Sequence, residues 1–385
     1  MNSLINAKDP AIPKKSTDAI RWFMFKKIMR EFKLPYLRAF SNYGMFYVIN
    51  KIEWATPFKF TRHRFLKPSA LIVQVNKLCN FDCEFCFVND LNEKVAKEFT
   101  VSPETFEKML THPLLKSLTR LGFSGGEPMV HPSLFEYIER AKRSIPVVTL
   151  NTNFALAGKV VKGERNIDRI NRSSLDMLTV SLYARGVDPI EEFAPQLTKR
   201  IFKRLSFIVS AGSDKFHTFE RMYEVAQMAL SLGFNGVFYQ NFDAMEGVPE
   251  QKANLNKMNV SGFVPIYADQ TSDSYGRYQE MKRRVERDFG GKLSISFPVP
   301  KYKIDNLRKG FTCYQPDFQI GVDQKGSLSP CCNLDRLPEY GNLFDGDNWN
   351  SETFLKIRGG IKKKDQLPTP YCANCTFLDV NLHDV

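Results

Sequence analysis

Cysteine is the residue best able to do chemistry in this sequence, and its placement is uneven. Cys79, Cys83 and Cys86 share one short stretch, Cys79-Asn-Phe-Asp-Cys83-Glu-Phe-Cys86, while Cys313, Cys331, Cys332, Cys372 and Cys375 lie near the end. None falls between Cys86 and Cys313. Thiols grouped this way, in a long chain whose start has no apolar secretion signal, read as metal ligands rather than a disulfide framework. Three thiolates on one tight loop hold three irons of a cubane cluster and leave the fourth open to an outside ligand. Structural zinc takes four ligands, commonly from two separated C-x2-C pairs, so the spacing favours iron–sulfur. A zinc knuckle borrowing a distant fourth ligand is the alternative. The later group has more than the four thiolates that close a second site, either an iron–sulfur cluster or a zinc ribbon, and packing is the plain role for a cysteine left over.

The first cysteine loop follows directly on Leu71-Ile-Val-Gln-Val75, a β-branched apolar run that reads as a buried strand. Leu121-Gly-Phe-Ser-Gly125-Gly126-Glu127-Pro128 places two glycines and an acid at the end of a second strand. Glycine lets backbone approach a neighbour closely, and a carboxylate there can receive an ammonium group. Val147 to Asn153 and Leu178-Thr-Val-Ser181-Leu read as the third and fourth strands, and Leu205 to Ser210 as the fifth.

In that order, these segments resemble the radical S-adenosylmethionine (SAM) superfamily. Phe85 matches the aromatic before the third cysteine, Gly125-Gly126-Glu127-Pro128 the GGEP motif, and Thr152-Asn153 the third-strand TN(G) motif, with Phe154 where glycine is common. The resemblance covers residues 71–376. It implies a [4Fe-4S] cluster on Cys79, Cys83 and Cys86, with SAM at its open iron and contacts from Phe85, Gly125, Gly126, Glu127, Asn153 and Ser181. The second cysteine group, with Gly326 and Tyr340-Gly341-Asn342-Leu343 between its members, resembles the SPASM/twitch extension in its shorter twitch form. That implies one auxiliary [4Fe-4S] cluster on Cys313, Cys331, Cys372 and Cys375. The implied activity is reductive cleavage of SAM to a 5′-deoxyadenosyl radical, which abstracts hydrogen from a substrate C–H bond. Electrons would come from a low-potential donor of the flavodoxin or ferredoxin type. The twitch-type count favours oxidation of a sugar, cyclitol or lipid-linked substrate, making the partner a small molecule or glycan. A peptide- or protein-modifying enzyme is the competing reading, set back because residues 1–70 lack the alternating strand pattern of a leader-binding domain. A non-catalytic zinc or iron–sulfur scaffold is the alternative of another class. No side chain is assigned a catalytic role. The histidines at 63, 112, 131, 217 and 383 show no ligand spacing, though His217 falls just beyond the fifth strand.

The elements that must position these residues alternate apolar strands with amphipathic helices, as parallel α/β folds do. Strands are expected near 71–75, 119–123, 146–151, 177–182, 205–210 and 236–242, with helices near 103, 133, 218–232 and 274–289. The expectation is a partial (β/α)6 TIM-like barrel at 71–245, a linker and helix at 246–310, a small SPASM/twitch domain at 311–376, and a tail at 377–385. Before the barrel lies a basic, aromatic helical extension, 1–70. The chain has 385 residues, 54 Lys and Arg against 42 Asp and Glu, and a net charge of +12. Fourteen of those bases and only four of the acids fall in residues 1–70. Ser16-Thr17-Asp18 can cap a helix there, with Ile20, Phe23, Met24, Ile28 and Phe32 on one face and Trp22 and Phe25 among the bases. That face either packs on the barrel or meets an anionic membrane surface, with nucleic acid a further and weaker option. No apolar run is long enough to cross a membrane, so the expected location is cytoplasmic, with peripheral membrane association through residues 1–70.

Overall fold

A computed structural model describes residues 23, 25–55, 67–83, 85–86, 98, 100–242, 262–267, 273–298, 300, 315–331, 338–346, 348–360 and 372. Six parallel strands, each followed by a helix, run through the middle of the chain. They are β1 (Ala70–Asn76), β2 (Arg120–Gly125), β3 (Val147–Thr152), β6 (Met177–Ser181), β7 (Phe202–Val209) and β8 (Gly236–Asn241). A small hairpin, β4 (Val160–Val161) and β5 (Glu164–Arg165), stands apart. The helices are α2 (Pro103–Thr111), α3 (Leu134–Lys142), α4 (Asn166–Arg172), α5 (Val187–Phe193), α6 (Arg221–Ser231) and α7 (Asp273–Phe289). Ser102 caps α2 as its sequence suggests: its hydroxyl accepts from the Thr105 amide and Pro103 fills the first helical position.

The expected strands match to within a few residues, and the sheet is larger than six. β9 (Ser294–Ser296) pairs beside β8, and β10 (Gln319–Val322) pairs in parallel with β1, followed by antiparallel β11 (Leu328–Ser329). The C-terminal region thus extends the central sheet.

Along the six strands, residues alternate in character. One face carries Leu71, Val73, Leu121, Phe123, Val148, Leu150, Leu178, Val180, Leu205 and Phe207, all fully buried. This face packs on the helices: Phe106 of α2 lies 5.9 Å from Phe123, and the Tyr239 hydroxyl donates to the Met222 carbonyl in α6 at 2.5 Å. The other, inner face is largely polar, with Gln74, Ser124, Thr149, Asn151, Thr179, Arg204 and Ser206. Period-two alternation of this kind gives a core on one side and a hydrated surface on the other.

The N-terminal extension crosses the amino-terminal ends of the strands. Residues 25–30 are helical, and α1 (Tyr36–Ala55) follows. Phe23 packs on Phe202 at 5.4 Å, and the Lys27 ammonium reaches Asp176, just before β6, at 2.8 Å. The Tyr36 hydroxyl donates to the Lys142 carbonyl, Asn42 to the Ser69 hydroxyl, and Tyr43 lies 6.1 Å from Phe318. The inner face of the first helix therefore carries Phe23 and Lys27, whereas Phe32, expected there, is half-exposed. The helix ends at Arg30, so Phe32 falls beyond its inner face and stacks on Phe40 at 6.4 Å instead. Ser16-Thr17-Asp18, Ile20, Trp22 and Met24 lie outside the described residues, as do most of 246–272 and all of 377–385.

Candidate active site

The cysteine loop starts where β1 ends, and β2 holds its base. The Gly126 amide donates to the Asn76 carbonyl at 2.9 Å and the Glu127 amide to the Leu78 carbonyl at 2.7 Å. A Cβ on Gly125 would meet the Asn76 oxygen at 2.3 Å, and one on Gly126 would meet the Leu78 oxygen at 2.1 Å. Gly125 also sits at φ 131°. The close approach these two glycines permit is thus to the chain's own loop base.

Glu127 is 1% exposed and binds both loops together. One carboxylate oxygen accepts from the Met129 amide at 2.9 Å and the Thr152 hydroxyl at 2.7 Å; the other accepts from the Asn153 amide at 2.7 Å. Three of its roughly four acceptor sites are therefore taken internally. Burial pushes this carboxyl up to about 7 against the lowering effect of those three donors. The Thr152 hydroxyl in turn accepts from the Phe154 amide at 2.9 Å. Phe154 adopts φ 64°, the left-handed region, which explains why glycine is common there.

This turn aims Asn153 at the cysteine loop. Its side-chain amide donates to Asn80 at 2.8 Å and lies 3.9 Å from the Cys79 sulfur. The Phe81 amide also approaches that sulfur, at 3.4 Å, and the Cys86 amide donates to the Cys83 carbonyl at 3.0 Å. Asp82 pairs with Arg185, tying the loop to the turn after β6.

Aromatic rings wall the loop. Phe85 lies 5.6 Å from Tyr183, 5.3 Å from His217 and 5.0 Å from Phe263, and Phe81 lies 6.3 Å from Tyr183. Burial holds the Tyr183 phenol well above its ordinary range. His217 does reach this wall. Its Nδ1 lies 3.0 Å from the Ile208 carbonyl and its ring stacks on Phe207, so burial holds the imidazole below its usual range.

The donor set suits a cluster. Burial first, then Cys86 and Cys79, push the Cys83 thiol up to about 12, and burial also raises Cys79. Three thiolates this close repel one another, and iron supplies the positive charge that holds them together. Among the described residues no three His, Cys, Asp or Glu side chains converge tightly enough for a single metal ion.

At the other end of the chain, Cys331 follows β11, and the Tyr340–Leu343 segment braces the turn before it. The Leu343 amide donates to the Gly326 carbonyl at 2.8 Å, and Asn342 to the Lys325 carbonyl at 2.7 Å. Cys331 is partly buried and Cys372 buried; Cys313, Cys332 and Cys375 lie outside the described residues.

Sequence reasoning missed Tyr183, Arg185 and Asn80. Tyr183 stands two residues after Ser181, so period-two spacing could have found it; nothing in the sequence marks Arg185.

Comparisons with known proteins bear on the family and the fold. The radical SAM superfamily matches residues 73–254, and the SPASM iron–sulfur cluster-binding domain matches 313–376. The PqqA peptide cyclase of Gluconobacter oxydans is 24% identical over 327 residues, covering 80% of this chain and 82% of that protein. The PqqA peptide cyclase of Xanthomonas campestris pv. campestris is 22% identical, covering 76% of each. Among solved structures, Streptococcus suis SuiB bound to S-adenosylmethionine superposes with TM-score 0.54 at 15% identity, over 82% of this chain and 74% of that one. SuiB bound to its precursor peptide SuiA gives 0.53 at 14%, over 82% and 72%.

Proposed function

The chain belongs to the radical SAM superfamily and carries a C-terminal SPASM iron–sulfur domain, and from that premise we propose that it modifies a peptide. The single observation that carries the chemistry is the C-x3-C-x2-C spacing of Cys79, Cys83 and Cys86 on one loop, whose base is held by Gly126, Glu127 and Asn153. When bound, a four-iron cluster with one open iron supplies the electron that cleaves SAM to a 5′-deoxyadenosyl radical and methionine. The chain's own residues position and shield. Glu127 fixes the turn that aims the Asn153 amide at the Cys79 sulfur. Phe85, Tyr183 and Phe263 keep water from the reacting centre. We assign SAM to the space bounded by Phe85, Asn153 and Ser181, with Gly125, Gly126 and Glu127 holding its floor. Cys313, Cys331, Cys372 and Cys375 are assigned to an auxiliary cluster, and a flavodoxin- or ferredoxin-type protein to electron delivery.

What supports a peptide over the sugar, cyclitol or lipid-linked substrate expected from the cysteine count is the company the chain keeps. Relatives matched over three quarters of its length are named peptide cyclases, and a similar fold has been solved with a precursor peptide. The test is deuterium transfer. Peptides encoded beside the gene, deuterated at their side chains, should pass deuterium into 5′-deoxyadenosine on reduction with SAM. Transfer from a cyclitol and from no peptide would overturn the reading.

Residues 25–48 add an anionic membrane surface as a docking partner. Seven of the eleven large hydrophobic side chains exposed among the described residues lie there, including Met29 at 59% and Leu34 at 77%. Lys26, Arg30, Lys33 and Arg38 are exposed beside them, and the one acid in the stretch, Glu31, is paired with Lys142. Apolar side chains rimmed by cations complement an anionic bilayer. Sedimentation with phosphatidylglycerol vesicles should be salt-sensitive and should fail with phosphatidylcholine alone; equal binding to both removes the surface.

A further inference from the structure

The inner face of the partial barrel holds a cation with no counter-charge among the described residues. Arg204, on β7, projects from the same face as Ser206, beside Thr179 of β6 in the parallel register. Its guanidinium donates to the Thr179 hydroxyl at 3.3 Å and lies 4.6 Å over the Phe238 ring. Its Nε is buried and has no hydrogen-bond partner. None of the six barrel strands contains Asp or Glu, and among the described residues Arg204 has no carboxylate within ion-pair distance. The charged group that influences it most is another cation, Arg120; burial and that repulsion lower its pKa to about 10. A partly buried guanidinium without an anion is unfavourable unless something else offsets it, and functional sites are where proteins keep such groups.

Height along the barrel matters as much as charge. Ser181 pairs with Ser206, so Arg204 lies two residues, about 7 Å, beneath the level of Ser181 and the cysteine loop. On β1, with β2, β3 and β6 between it and β7, the inner face has further orphaned groups, the Gln74 Oε1 and Asn76 Oδ1 atoms, both buried and without partners. A polar guest on this face would find a donor at β7 and acceptors at β1.

We propose that Arg204 binds a carboxylate of the substrate inside the barrel, anchoring it beneath the site where hydrogen is abstracted. A guanidinium fork takes carboxylate or phosphate in two parallel hydrogen bonds. The choice of carboxylate rests on the peptide reading, since acidic side chains and chain termini are the anions a peptide offers. The inner face itself requires only an oxyanion.

Thermal melting of the full-length, cluster-loaded protein at fixed ionic strength tests the assignment. The probes are N-acetylglutamate N-methylamide, its glutamine counterpart, and inorganic phosphate. The glutamate compound should raise the melting temperature on the order of 1–3 °C near saturation. The glutamine compound should not, and the effect should vanish in Arg204→Met. Arg204→Gln serves equally should the methionine variant fail to fold, with iron content and near-ultraviolet dichroism identifying a folded protein. Equal protection by the glutamine compound, protection by phosphate alone, or undiminished protection in the Arg204 variants each overturns the proposal. Deuterium transfer decides the peptide reading separately, because a carboxylate effect that depends on Arg204 survives even if no peptide reacts.

Discussion

Phe154 shows how two opposed effects settle at one residue. Its left-handed backbone costs about 1–2 kcal/mol for a side chain other than glycine. Its ring is fully buried, and removing a buried phenylalanine costs about 3–5 kcal/mol. Phe154→Gly should therefore destabilise the protein by about 1–4 kcal/mol in denaturant titration, despite relieving the strain. At Gly126 there is no such compensation, because the Leu78 oxygen occupies the space a methyl group needs. Gly126→Ala should displace the cysteine loop and lower bound iron toward half. Glu127 sets a pH dependence. Its folded-state carboxyl lies near 7, above the unfolded value, so its contribution favours folding at low pH and is lost as pH rises from about 4.5 to 7. Glu127→Gln should flatten that slope in melts across the same range, while placing an amide donor against one of its three donors. The departure at Phe154 was legible in the sequence as a missing glycine. The partners of Glu127 were not, because they come from two strands that meet only in the fold.

The six barrel strands could be read from the sequence because each is a short β-branched run bounded by turn residues. β10 could not, since nothing local in Gln319–Val322 says that it pairs with β1, some 250 residues earlier in the chain. The N-terminal strap was half legible: its helix and its basic charge are visible, its inner face is not. That face is decided by Asp176, which accepts from Lys27 and Lys142 at 2.8 Å and from the Val148 amide at 2.7 Å. Removing the shared partner of two buried ammonium groups is expensive. Asp176→Asn should cost about 3–5 kcal/mol and make residues 23–48 the first segment cut in limited proteolysis. Undisturbed protease resistance would mean the strap is held by its apolar contacts instead.

Across the whole molecule, the net charge of +12 resolves into separate roles. Part of the N-terminal excess is spent internally on Asp176, and part faces outward beside exposed apolar side chains. That outward surface lies at the amino-terminal ends of the strands, whereas the cysteine loop, Asn153 and Ser181 lie at the carboxyl ends. A membrane docked there, as proposed, would leave the cysteine loop facing away from the lipid and open to the proposed peptide. The helix-facing side of the sheet is apolar and the inner side polar, so the fold divides core from reaction space strand by strand. The account stands on three thiols holding a cluster that cleaves SAM. Anaerobically reconstituted protein should carry about eight irons per chain and, once reduced, convert SAM to 5′-deoxyadenosine, with Cys83→Ala retaining about four irons and no product. A colourless zinc protein, or SAM left intact by the reduced protein, would contradict it.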